Sequence, residues 1–142
     1  MGRMLKRLLI IAFLMSQTAC GKVASWYAKG FEGKSTASGY IYDSRQYTCA
    51  SNSHDFGTVL KVTNKENGKS VVVVVTDRGS FGKKYGREID LSKAAFTKIA
   101  NPNEGLIKVK IKIKVLNEKN TFKYKHGSPV FNAREYQKYV KR

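Results

Sequence analysis

Five consecutive valines, Val71 to Val75, are the segment that most narrows what this chain can become. A strand with one face in water alternates apolar and polar residues, and an unbroken β-branched run leaves no side for the water. The segment is therefore expected to be a strand covered on both faces, which excludes an open single-layered sheet and asks for a closed core. With 142 residues the chain has room for one such core and not for several domains. The flanking pattern is mostly strand as well. Lys22 to Tyr27 reads as a short strand followed by a Gly- and Ser-rich loop, and Thr58 to Thr63 and Ser70 to Thr76 read as a hairpin joined through Asn67-Gly68. Leu106 to Leu116 alternates strictly, with Val109, Ile111, Ile113 and Val115 on one face. Lys108, Lys110, Lys112 and Lys114 take the other, which reads as a solvated face. Asp90-Leu91-Ser92 opens a short helix with Asp90 or Ser92 as its N-cap. Leu91, Ala94, Ala95, Phe96 and Ile99 form its apolar stripe, and it ends near Asn101-Pro102. Several short strands, one helix and a closed core predict a small β-barrel.

The N-terminus sets a compartment. Arg3, Lys6 and Arg7 precede an apolar run from Leu8 to Met15, and small and polar residues then lead to Cys20. That is the layout of a bacterial export signal, too short to span a membrane permanently. Residues 1–19 are thus expected to be a cleaved signal peptide and Cys20 the acylated first residue of a lipoprotein, although Gln17 stands where such signals usually carry Leu, Val or Ile. The barrel is expected over 20–116 and a basic tail over 117–142. The whole chain carries 27 basic and 10 acidic residues, a formal +17. Without residues 1–19 there remain 24 basic residues, so the mature domain is still at about +14 and favours anionic partners. Cys49 is expected to be a small buried hydrophobe, or the partner of Cys20 in a disulfide if Cys20 is not acylated.

Seven segments then carry a resemblance to a known family. Ala24-Ser25-Trp26-Tyr27, Thr36-Ala37-Ser38-Gly39, Phe56-Gly57-Thr58, Val62-Thr63-Asn64, Asn67-Gly68, Thr76-Asp77-Arg78-Gly79 and Ile89-Asp90-Leu91-Ser92 occur in the order and spacing of the rare lipoprotein A family. The stretch from Ile89 to Leu116 also resembles the barrel domain of bacterial expansins. The resemblance implies a mainly β fold, a six-stranded double-psi β-barrel with one or two short helices. It also implies an exported lytic transglycosylase acting on the glycan strands of peptidoglycan, with a non-catalytic, expansin-like wall-binding or wall-loosening module as the alternative. No cofactor, metal or nucleic-acid partner is expected, and the protein is expected to be a monomer in the cell envelope.

The chemistry implied is narrow. A lytic transglycosylase protonates the leaving oxygen after N-acetylmuramic acid, and the sugar's own 6-hydroxyl closes on C1. One carboxyl that holds a proton and then takes one back meets that demand, and burial or a second carboxylate helps it do so. The resemblance marks Asp77, in the Asp-Arg-Gly motif, as catalytic, and aligns Asp90 with the aspartate implicated in expansin action. Asp77 is expected as acid/base, with Asp90 in support. The family's enzymatic members carry a glutamate where this chain has Tyr40 and a histidine where it has Ser51; His54 lies three residues from the second position. Trp26, Tyr27, Tyr40, Tyr42 and Phe81 are expected to line a sugar groove. Arg78 is expected to meet a substrate carboxylate.

Overall fold

The structure is a computed structural model, and it describes residues 21–80 and 86–116. The predicted signal peptide, Cys20, Phe81 and the basic tail lie outside these residues. Six strands form: β1 (Lys22–Trp26), β2 (Thr48–Ser51), β3 (Val59–Asn64), β4 (Ser70–Asp77), β5 (Arg87–Leu91) and β6 (Ile107–Val115). A helix, α1 (Lys93–Ile99), and a 3₁₀ turn (Pro102–Glu104) stand between β5 and β6. The strands close into a barrel in the order β1-β5-β2-β4-β3-β6. β1 runs parallel to β5 and β2 parallel to β4, while the other four pairs are antiparallel. Two parallel crossings in one closed sheet are the double-psi arrangement that the resemblance implied.

The valine run behaves as expected. Val71, Val73, Val74 and Val75 are buried and only Val72 is half-buried. Val71, Val73 and Val75 join Leu60, Val62, Ile89, Leu91 and Phe96 in the main core. Each such side chain contributes about 1.5–3 kcal/mol by leaving water. Between β3 and β4 the chain turns at Gly68, whose φ of 74° suits a residue without Cβ. The side-chain amides of Asn64 and Asn67 both donate to the Ile99 carbonyl, at 2.8 and 2.9 Å. The hairpin thus satisfies the open end of α1.

Two strands depart from the expected pattern. β2 has the sequence Thr-Cys-Ala-Ser and every residue is buried, so no alternation marks it. β5 includes Asp90 and Leu91, which the sequence placed at the helix entry. Ser92 alone caps α1, its Oγ accepting from the Ala95 N–H at 3.3 Å and donating to the Gln46 carbonyl at 2.6 Å. Asp90 is therefore a strand residue whose carboxyl is not spent on the helix. Along β6 the expected apolar face is buried only at its start: Ile107 and Val109 are covered, Ile111 is half-buried and Ile113 is 45% exposed.

Candidate active site

Three strands bring the two aspartates together. Ala50 of β2 pairs with Asp77 of β4 on one side and Asp90 of β5 on the other, and Ser25 of β1 pairs with Asp90. Directly opposed residues in a sheet share a face. Asp77, Ala50, Asp90 and Ser25 therefore form one row across four strands. At about 4.8 Å per strand, the backbones of the two aspartates stand roughly 10 Å apart with only a methyl group between them. A bulge produces this row: β2 and β4 pair Cys49 with Val75 and then Ala50 with Asp77, passing over Thr76. Without the extra residue Thr76 would face Ala50 and Asp77 would point to the other side.

The two carboxylates sit in different surroundings. Asp77 Oδ1 accepts from the Ala37 N–H at 2.9 Å and the Arg78 N–H at 2.8 Å, and Oδ2 accepts from the Tyr27 hydroxyl at 2.8 Å. The Thr-Ala-Ser-Gly segment exists to deliver the first of these. It is the tip of a tight turn in which Thr36 N–H bonds the Tyr40 carbonyl at 2.7 Å, Gly39 takes a φ of 90°, and Ser38 N–H bonds the Thr76 carbonyl at 3.2 Å. Asp90 accepts one side-chain bond, from Ser25 Oγ at 3.0 Å. Burial pushes its carboxyl up to about 6; the Ser25 hydroxyl and Arg87 oppose that shift and the charge of Asp77 adds to it.

Aromatic side chains wall the cleft on the Asp77 side. Tyr27 stacks on Tyr42 with ring centroids 4.3 Å apart and meets Phe31 edge-on at 5.5 Å. Burial and the Asp77 carboxylate push the Tyr27 phenol far up, so it stays a hydrogen-bond donor. Trp26 leans on Phe96 and donates its indole N–H to the Pro102 carbonyl at 3.0 Å. Trp26, Tyr27 and Tyr42, with Lys29, Glu32 and Lys93, line a cleft of about 230 Å³. This is an apolar wall with charged groups at its rim, suited to the faces of pyranose rings.

Other expected site residues fall elsewhere. Tyr40 does not line the groove: it is 1% exposed, and its hydroxyl accepts the Asp43 N–H at 3.2 Å inside the fold. A phenol this large is accommodated by turning into the core. Ser51 is also buried, and its hydroxyl lies 3.0 Å from His54 Nδ1. His54 is thus held against Ser51, and burial followed by the nearby Lys22 lowers its basicity. Arg78 donates to the Ser51 carbonyl at 2.9 Å and lays its guanidinium 4.0 Å over the Phe56 ring, contacts that brace the cleft wall. Cys49 is a free thiol, fully buried beside the row. Among the described residues no three His, Cys, Asp or Glu side chains gather as metal ligands would.

Sequence reasoning gave no role to Ser25, Ala50 or Asn52. Asn52 clamps the loop after Asp77 with a reciprocal pair, donating to the Gly79 carbonyl at 2.8 Å and accepting the Gly79 N–H at 3.0 Å. Ser25 stood inside a recognised segment, while nothing in the sequence marks Ala50 or Asn52.

Several known proteins are similar to this chain. A family model described as lytic transglycolase matches residues 13–111. The probable endolytic peptidoglycan transglycosylase RlpA of Treponema pallidum is 47% identical over 88 residues, which are 62% of this chain and 27% of that protein. The endolytic peptidoglycan transglycosylase RlpA of Vibrio cholerae is 47% identical over 96 residues, 68% of this chain and 35% of the relative. The chain thus spans about a third of the length of these curated relatives. Among solved structures, an apo expansin of Clavibacter michiganensis is 26% identical with a TM-score of 0.49, covering 65% of this chain and 48% of that one. With a family model matched over residues 13–111, well over half of its length, the chain belongs to the lytic transglycolase family.

Proposed function

We propose that this protein is an endolytic peptidoglycan transglycosylase. The observation that carries the reading is the row Asp77, Ala50, Asp90, joined to the aromatic cleft through the Tyr27 hydroxyl that donates to Asp77. A glycan strand lies along Tyr27 and Tyr42 with its scissile oxygen over the two carboxyls. Asp77, oriented by three donors, works at the glycosidic bond as acid/base. Asp90, raised to about 6, keeps a proton available to the pair near neutral pH. The proton goes to the leaving oxygen as its bond to C1 breaks. The 6-hydroxyl of the same muramic acid then bonds C1 and returns its proton to the pair. No water is consumed, and the product carries a 1,6-anhydro end.

The charge pattern and N-terminal leader support export, acylation at Cys20 and residence in the cell envelope. A second reading, wall binding without cleavage, is favoured by one observation. The two positions where enzymatic relatives are expected to carry glutamate and histidine hold Tyr40, turned inward, and Ser51, tied to His54.

Incubation with purified peptidoglycan and mass spectrometry of the products separates the two. Anhydro ends from the wild type and none from Asp77→Asn support the transglycosylase. Co-sedimentation with the wall and no anhydro ends from either would sink it and leave the binding module.

A further inference from the structure

We propose that β6 and the start of β1 form a surface that docks on anionic lipid headgroups, beside the point where the chain leaves the barrel for Cys20. Lys108, Lys110, Lys112 and Lys114 are all exposed on β6, and Lys112 faces Lys61 of β3 directly. Like charges opposed on a sheet repel. Among the described residues none of these lysines has an ion-pair partner. The arrangement is costly in isolation and is relieved by an anionic surface.

Exposed aliphatic side chains flank this charge. Leu106 and Leu116 are 44 and 55% exposed and stand one residue before and one residue after β6, while Ile113 belongs to the strand's other face. Lysine heads with aliphatic neighbours suit a membrane interface, where the amines reach phosphates and the apolar groups settle beneath them. A purely solvated face needs no such aliphatics.

The tether argues for lipid over other polyanions. Lys22 opens β1 paired with Val109 of β6, so the chain enters the barrel alongside this strand. Gly21, Lys22, Lys110 and Ile111, with Lys65 and Glu88, line a cleft of about 390 Å³. Cys20 is two residues from Lys22 and so stays within about 7 Å of it. The orientation therefore rests on the proposed acylation of Cys20, which would hold this face at the headgroups. The chain's own tail is a poor occupant, since residues 117–142 carry seven basic residues against two acidic ones.

The test uses the full chain with Cys20→Ser, which removes acylation and leaves the face. Sedimentation is measured with vesicles of phosphatidylcholine alone and of phosphatidylcholine with about one-third phosphatidylglycerol. The expected result is preference for the anionic vesicles, lost at high salt. Combining Lys108→Glu, Lys110→Glu and Lys112→Glu is expected to weaken that binding by about a hundredfold, from a fewfold per lysine. The leader is common to both proteins and cancels in the comparison. Replacing the same lysines by Gln, a milder change, is expected to fall between. Equal vesicle binding by all three proteins would overturn the proposal. So would lysine-dependent sedimentation with peptidoglycan and none with vesicles, which would give the face to the wall. Anhydro-end formation is scored on the same proteins. Its loss in every protein strikes the cleavage reading and leaves the vesicle result standing.

Discussion

The two carboxylates of the cleft share one row of the sheet and differ in almost everything around them. Asp77 is gripped by two backbone N–H groups and a phenol. Asp90 has one serine hydroxyl and a buried setting that raises it to about 6. Hydrogen bonds fix where a carboxyl points and favour its charged form, whereas desolvation favours the form that keeps its proton. The barrel has divided orientation and proton retention, the two requirements of the proposed acid/base chemistry, between β4 and β5 on either side of β2, and each half can be attacked separately.

The largest effect is expected from Asp77→Asn, which keeps the shape and removes the acid/base. Anhydro-end formation should fall by roughly 10²–10⁴-fold with the circular dichroism spectrum unchanged. Retained activity would move the chemistry to Asp90 alone. Asp90→Asn is expected to act on stability as well as activity. In the unfolded chain this carboxyl titrates near 3.8, against about 6 in the fold. Between those values the folded protein holds a proton that the unfolded chain has lost. Its contribution to wild-type stability is thus fully present below about pH 4 and declines up to about pH 6, by roughly 2–3 kcal/mol in all. Urea titrations across that range should show stability falling with pH in the wild type relative to the variant, in which the opposite slopes from the lowered His54 and Asp43 remain. Identical profiles in the two proteins would mean that Asp90 is not desolvated.

Tyr27→Phe probes the orienting half. Removing the phenol hydroxyl takes one donor from Asp77, with an expected cost of about 1–2 kcal/mol in stability and about tenfold in rate, without displacing the alkaline limb of the pH profile. A displaced limb would show that Tyr27 tunes protons as well as geometry. The smallest effect is expected from Ser25→Ala. Its hydroxyl favours the charged form of Asp90, so its loss should raise that carboxyl further and move the alkaline limb upward, at little cost in the maximal rate. A downward move would reverse the assigned role of the hydroxyl.

What could be read in advance follows the same division. The valine run, the Asn67-Gly68 hairpin and the start of β6 announce themselves because one side of each is consistently apolar or its turn chemistry is specific. β2 could not, since Thr48, Cys49, Ala50 and Ser51 are all buried and mostly small, and only pairing with β4 and β5 makes them a strand. The same blindness covered the site. Asp77 and Asp90 were identifiable through the segments around them, but the residue that sets them side by side is an alanine. Tyr40 was misplaced for a related reason: whether an aromatic ring near a cleft turns outward or inward depends on the packing around it, not on its neighbours in the sequence.

The five valines carry a further implication for folding. Identical residues contain no information about which neighbour each should choose, so a slip along β4 would go unpunished by the run itself. The alignment is decided at its borders, by the Gly68 turn at one end and the skipped Thr76 at the other. Beyond Thr76 stands Asp77, clasped from three directions. The side chain proposed to act on glycan therefore also serves as the bookmark by which a featureless strand finds its place.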